Sequence, residues 1–177
     1  MSGVNGAALV FIDECGSHLA LTPLYGYAPR GQRAVDQVPK NRGKNTTILG
    51  ALGSGGLQAA MTLEGAADSL AFAAFVEFFL VPTLEPGQII VMDNLSIHKS
   101  AKVRHLIEEA ECWLLFLPTY SPDLNPIELA WSKLKEALRR AGARTREQLD
   151  AAIGQGLDTI TAHNAAHWFN YCGYHFI

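Results

Sequence analysis

The sequence predicts an α/β fold, a mixed central sheet flanked by helices, and three observations carry that prediction. Short apolar runs end abruptly in acids, as buried strands do at the carboxyl edge of an open sheet. Two further runs flank a glycine-rich stretch and read as an antiparallel hairpin. The later runs alternate with amphipathic segments, so the order strand, hairpin, helix, strand, helix, strand, helix builds a mixed sheet with helices on its faces.

The first strand is "AALVFIDE" (residues 7–14), a continuous apolar run too short for a helix. A polar, irregular insertion carrying basic residues follows over about 15–45. "TTILGAL" and "LQAAMTL" form the hairpin around "GSGG" (residues 53–56), whose glycines are expected to supply positive φ angles. Asp68 is a good N-cap, and Phe72, Phe75, Val76 and Phe79 recur at helical spacing after it, predicting an aromatic stripe packed on the sheet. "IIVMD" is a buried strand, "NLSIH" a loop, and a helix is expected from about Lys99 to Glu111. "CWLLFLP" reads as a third buried strand, stopped by Pro118. A helix opens at Pro126 with Leu129, Leu134 and Leu138 inward, and a last helical region spans about Thr145 to Tyr171 (about 145–172 at its outer limits). Trp113, Trp131 and Trp168 are expected in the core. The whole of 1–177 is read as one domain.

With 177 residues and 49% hydrophobic content the chain can bury one good core. No apolar run approaches the ~20 residues that span a bilayer, and the first residues lack a basic signal region, so a cytoplasmic protein without membrane attachment is expected. Cys15, Cys112 and Cys172 form no CxxC pair and read as small buried hydrophobes. The net charge of −3 argues against nucleic acid only on average, because all 14 basic residues fall in three clusters. Arg30, Arg33, Arg42 and Lys44, then Lys99, then Lys133, Lys135, Arg139 and Arg140 are the candidate contacts to a DNA backbone, provided the clusters converge.

Asp13 and Asp93 end two strongly apolar strands. An ionised carboxylate there is costly to desolvate, and two side by side raise one another's pKa unless a cation compensates. Oxygen ligands without cysteine suit Mg²⁺ or Mn²⁺ rather than zinc. Glu128 is the candidate third carboxylate. It also falls three residues after Asn125, where a capping-box acid belongs, with Pro126 at the first helical position. Local sequence leaves both roles open. "HNAAH" (residues 163–167) lacks the glutamate of a zinc-binding HExxH helix and is not read as a metal site.

"FIDECG", "VMDNLSIH" and "LPTYSPDLNPIELAWSKLK" together resemble the DDE transposases of the mariner-like superfamily, especially their bacterial insertion-sequence branch. Asp93 and Glu128 are separated by 34 residues, the spacing that family uses. The resemblance implies a ribonuclease H-like fold, Asp13, Asp93 and Glu128 as catalytic metal ligands, and two Mg²⁺ or Mn²⁺ ions that serve phosphoryl transfer. It implies cutting of transposon ends and joining to target DNA, by a homodimer assembled on the DNA and, in a bacterial cell, associated with the nucleoid. Glu14, Asn94, His98 and Asn125 are expected to support the ligands or touch DNA. Thr119 departs from the proline that many relatives carry, which leaves the acids untouched. The family's DNA-reading segment is expected to be missing, since the first catalytic strand begins within ten residues of Met1. An inactive DNA- or partner-binding remnant is the alternative, and a ribonuclease or junction resolvase is disfavoured by "SPDLNPIE".

Overall fold

Strand β1 (Leu9–Ser17) is buried on both faces from Leu9 to Asp13, which is why its sequence is continuously apolar instead of alternating. The computed structural model describes residues 5–176. β1 is the middle of a five-stranded sheet of order β3-β2-β1-β4-β5, formed with β2 (Thr46–Gly53), β3 (Gly56–Glu64), β4 (Ile89–Met92) and β5 (Trp113–Phe116). β2 and β3 run antiparallel to their neighbours, whereas β1, β4 and β5 are mutually parallel. The mixed sheet is therefore the one the sequence predicts.

Side-chain alternation along β1 splits the core into two halves. Leu9, Phe11 and Cys15 pack under α3 (Ile127–Ala141), α4 (Arg146–Asp158) and α5 (Ala162–Tyr171). Val10 and Ile12 face α1 (Ser69–Phe75) and α2 (Ala101–Glu109) on the other side. Each fully buried Ile, Leu or Phe contributes about 1.5–3 kcal/mol, so neither helical layer can be lost cheaply. This is a ribonuclease H-like fold.

Four expectations need correction. In the hairpin only Gly56 takes a positive φ, +106°, and the ladder is bulged between Ala51 and Leu52, so one glycine rather than several carries the turn. Asp68 does cap α1, accepting from Leu70 N and Ala71 N, but the helix widens into a π turn over Val76–Leu80. The extra residue per turn rotates Phe79 outward to 43% exposure and puts Leu80 in the core beside Phe72, Phe75 and Val76. Trp113 is 71% exposed on β5, because that strand is the sheet edge; Trp131 is buried and Trp168 packs partly against the core. Of the cysteines, Cys15 and Cys112 are buried and Cys172 only half so.

Helix boundaries also move, for capping reasons. Residues 96–99 form a separate 3₁₀ turn, since Ser100 is extended and its Oγ accepts from Val103 N to start α2. The last helical region is two helices, each opened by a capping box, Thr145 with Gln148 and Thr161 with Asn164. The basic insertion begins after Ser17, and residues 22–45 are almost wholly exposed without helix or strand. Among the described residues no helix is long and apolar enough to cross a membrane.

Candidate active site

Register brings the first two acids together. The parallel rungs between β1 and β4 run from Leu9 opposite Ile89 to Ile12 opposite Met92, so Asp13 and Asp93 are the residues immediately beyond the last rung. Asp13 is 8% exposed. Its Oδ1 accepts from Glu14 N at 2.8 Å and its Oδ2 from Asn125 Nδ2 at 3.3 Å. Burial raises the Asp13 pKa from its ordinary 3.8 to about 7; the Glu14 N–H opposes the rise, while the charges of Glu128, Asp93 and Glu14 add to it. Asp93 is more open. Its Oδ1 accepts from Leu95 N at 3.0 Å, closing an Asx turn, and lies 2.6 Å from Nδ1 of the buried His98.

The cap reading of Glu128 fails on geometry. The residue before α3 is Pro126, without a side-chain capping bond, and the Asn125 amide points instead to Asp13. Glu128 is exposed in the first turn of α3, free of the reciprocal bonds seen at Thr145 and Thr161. What aims it is Trp131, one turn further on. Trp131 is buried against Gly50, the residue paired with Asp13 across β1 and β2, and a Cβ at Gly50 would stand 2.5 Å from Trp131 Cη2. A missing side chain thus lets α3 settle close to the sheet and holds Glu128 beside Asp13.

Asp13, Asp93 and Glu128 line one cavity of about 370 Å³, with Asn94, Asn125 and Tyr120 also on its wall. Among the described residues no three acids, histidines or cysteines stand close enough to form a ready-made chelate. The donor set nevertheless fits a hard divalent cation: three carboxylates and an amide oxygen, with Asp13 under a repulsion that a cation would relieve. That amide is Asn125, a residue of the cavity wall whose Oδ1 is buried without a hydrogen-bond partner. Tyr120 was not legible in the sequence. It is fully exposed at the cavity with φ +59°, a left-handed conformation unusual for an aromatic residue.

The remaining candidates divide. Asn94 lies exposed on the cavity wall, while Glu14 is half-buried with its pKa raised by burial, lowered in part by His98 and raised again by Asp93. Of the basic residues, Lys44 pairs with Glu64 and Arg140 with Glu136. Lys133 is structural: its Nζ donates to Thr159 O at 2.5 Å and Asn164 Oδ1 at 2.7 Å, tying α3 to the junction of α4 and α5. Arg30, Arg33, Arg42, Lys99, Lys135 and Arg139 make no ion pair among the described residues. Lys135 and Arg139 continue the α3 face of Glu128, seven and eleven residues on. Lys135 stands close enough to the site to lower the Cys15 pKa, which burial pushes up to about 11.

An acidic cleft at the carboxyl edge of a ribonuclease H-like sheet defines the class of protein. The family model of the DDE superfamily endonuclease matches residues 8–150, and the chain belongs to that family. Its fold is similar to the Mos1 transposase paired-end complex with left transposon end, at TM-score 0.77 and 20% identity over 94% of this chain and 52% of that one. The Mos1 mariner paired-end complex with Mn is similar at TM-score 0.73 and 19% identity, with the same coverage. In sequence, 69 residues are 38% identical to the Transposable element Tc1 transposase of Caenorhabditis elegans, covering 39% of this chain and 24% of that protein. The chain thus spans about half the length of the Mos1 chains it resembles, and the match to Tc1 about a quarter.

Proposed function

We propose that the chain is the catalytic portion of a transposase of the mariner/Tc1 type, in the bacterial insertion-sequence branch, cutting transposon ends and joining them to target DNA. The observation that carries this reading is the meeting of Asp13, Asp93 and Glu128, from β1, the end of β4 and α3, at one cavity. These residues would hold Mg²⁺ or Mn²⁺, as a pair of ions, which when bound activate the attacking oxygen and neutralise charge on the phosphate. Attack on a phosphodiester breaks the bond to the 3′-oxygen, and the 3′-hydroxyl so released attacks target DNA in turn. Asp13 and Asp93 are the fixed part of the site, held by backbone N–H bonds. Glu128, on an exposed helical turn, closes it. Lys135 and Arg139 extend from Glu128 along α3 as a track for the DNA backbone, joined by Arg30, Arg33 and Arg42 of the exposed arm and by Lys99. A DNA-reading segment and a second copy assembled on DNA complete the active form.

Glu128→Gln tests the reading, because an amide matches the carboxylate in shape and is a poor ligand for Mg²⁺. Nicking of supercoiled plasmid in Mn²⁺, with the reading segment of the element supplied, should fall by orders of magnitude while the melting temperature stays within about 2 °C. Full nicking by Glu128→Gln overturns the assignment.

A further inference from the structure

His98 is fully buried, yet it sits one loop from an active-site carboxylate. Its ring packs on Phe72, centroids 4.4 Å apart, so the α1 layer fixes the ring plane. Nδ1 lies 2.6 Å from Asp93 Oδ1. On the same face of the sheet lies Glu14, whose Oε2 is buried without a hydrogen-bond partner, as are both ring nitrogens of His98, Nδ1 standing at ion-pair distance from Asp93 but off hydrogen-bond geometry. A polar ring is not placed in an apolar layer without compensation, since each unpaired buried polar atom costs about 1–3 kcal/mol. Core packing alone would be served better by leucine or phenylalanine.

Resting on the catalytic reading above, we infer that His98 is a positioning residue for Asp93: its Nδ1 pairs with Oδ1 and turns the second oxygen toward the metal site, with Phe72 holding the ring from behind. Asp93 needs this support because it is a loop residue just past the end of β4, with Leu95 N as its hydrogen-bond donor. The Leu95 N–H bond and the His98 contact both fall on Oδ1, which leaves Oδ2 as the atom presented to a cation. Partners behind a ligand characteristically change metal affinity about 10–100-fold when removed.

The test compares two amides of different reach, measuring Mn²⁺ affinity of the intact chain by electron paramagnetic resonance of free Mn²⁺. In His98→Asn the side-chain nitrogen falls near the position of Nδ1, whereas in His98→Gln it falls near that of Nε2; both lose the stacking on Phe72 equally. Affinity in His98→Asn should stay within about threefold of wild type and drop about 10-fold or more in His98→Gln. Equal affinities in the two variants, or Gln outperforming Asn, overturn the inference. His98→Phe, which keeps the stacking and removes Nδ1, should hold its melting temperature and bind Mn²⁺ as poorly as His98→Gln; wild-type affinity in His98→Phe likewise overturns it. Asp13→Asn separates the two readings. If Asp13→Asn leaves Mn²⁺ binding unchanged the metal site itself is refuted, and if it abolishes binding while the His98 series is flat, only the positioning role fails.

Discussion

On the proposed reading, Asp13 is a residue at which function and stability oppose one another, and Asp13→Asn measures the conflict. Its pKa rises from 3.8 to about 7 on folding, so in the folded protein the neutral carboxyl is favoured. Below about pH 4 the group is protonated in folded and unfolded chains alike and costs nothing. Between about pH 4 and 7 the unfolded chain releases its proton first, and stability is lost steadily; above about pH 7 the full penalty stands. At 1.36 kcal/mol per pH unit the penalty is on the order of 4 kcal/mol. Asparagine removes the charge but can satisfy only one of the two donors, Glu14 N and Asn125 Nδ2, which returns about 1 kcal/mol. A net gain of about 2–3 kcal/mol is left at pH 8, or roughly 5–10 °C in melting temperature for a chain of this size.

The assay is thermal unfolding of wild type and Asp13→Asn, in chelator, across roughly pH 4–8.5. The variant should be the more stable above about pH 7, its advantage should vanish at roughly pH 4.5, and near pH 4 it should be the less stable by about 1 kcal/mol. Adding Mg²⁺ should close the gap at pH 8 by stabilising wild type alone, because a cation beside Asp13 offsets the cost of ionisation. A gap that does not vary with pH, or an Asp13→Asn protein less stable than wild type at pH 8, refutes the account of a buried, destabilising Asp13 charge.

Two further outcomes follow from the geometry of α3. Removing Lys135 and Arg139 together should lower the slope of log affinity against log salt for DNA by about 2, whereas Lys133→Ala should leave the slope alone and cost roughly 1–3 kcal/mol in denaturant unfolding, since its bonds to Thr159 and Asn164 are internal. Gly50→Ala should push Trp131 away from the sheet, losing about 1–3 kcal/mol and depressing metal-dependent nicking through the displaced Glu128 even though it touches no substrate; unchanged nicking in a folded Gly50→Ala protein would show that α3 is held by something else.

The fold was largely legible in the sequence because its central strands β1, β2 and β4 are mostly buried, so burial wrote their cores as unbroken apolar runs. What stayed hidden depends on position in the sheet. "WLLF" reads like "IIVM", yet β5 is an edge strand and leaves Trp113 in the open, a difference that strand order alone decides. The π turn after Phe75 was equally hidden: an aromatic repeat at i, i+3, i+4, i+7 fits an unbroken helix, and only packing showed that Leu80 replaces Phe79.

At the candidate site, residue type pointed to the three acids that line the cavity but not to what holds them. Asn125 looked like a helix cap because asparagine before proline starts helices well, and an N-cap and an amide that bonds a distant carboxylate have the same local sequence. Their difference lies 112 positions away in the chain, in the Asp13 carboxylate that the amide meets. The same holds for Gly50, which in sequence is one more small residue in a strand and in three dimensions sets the depth of α3. Lys133 and Lys135 likewise share a charge and a cluster, yet two residues on a helix turn the side chain by about 200°, one toward the α4–α5 junction and the other along the face of Glu128. Charge clusters in a sequence therefore count candidates for a DNA surface; helical phase decides which of them can reach it.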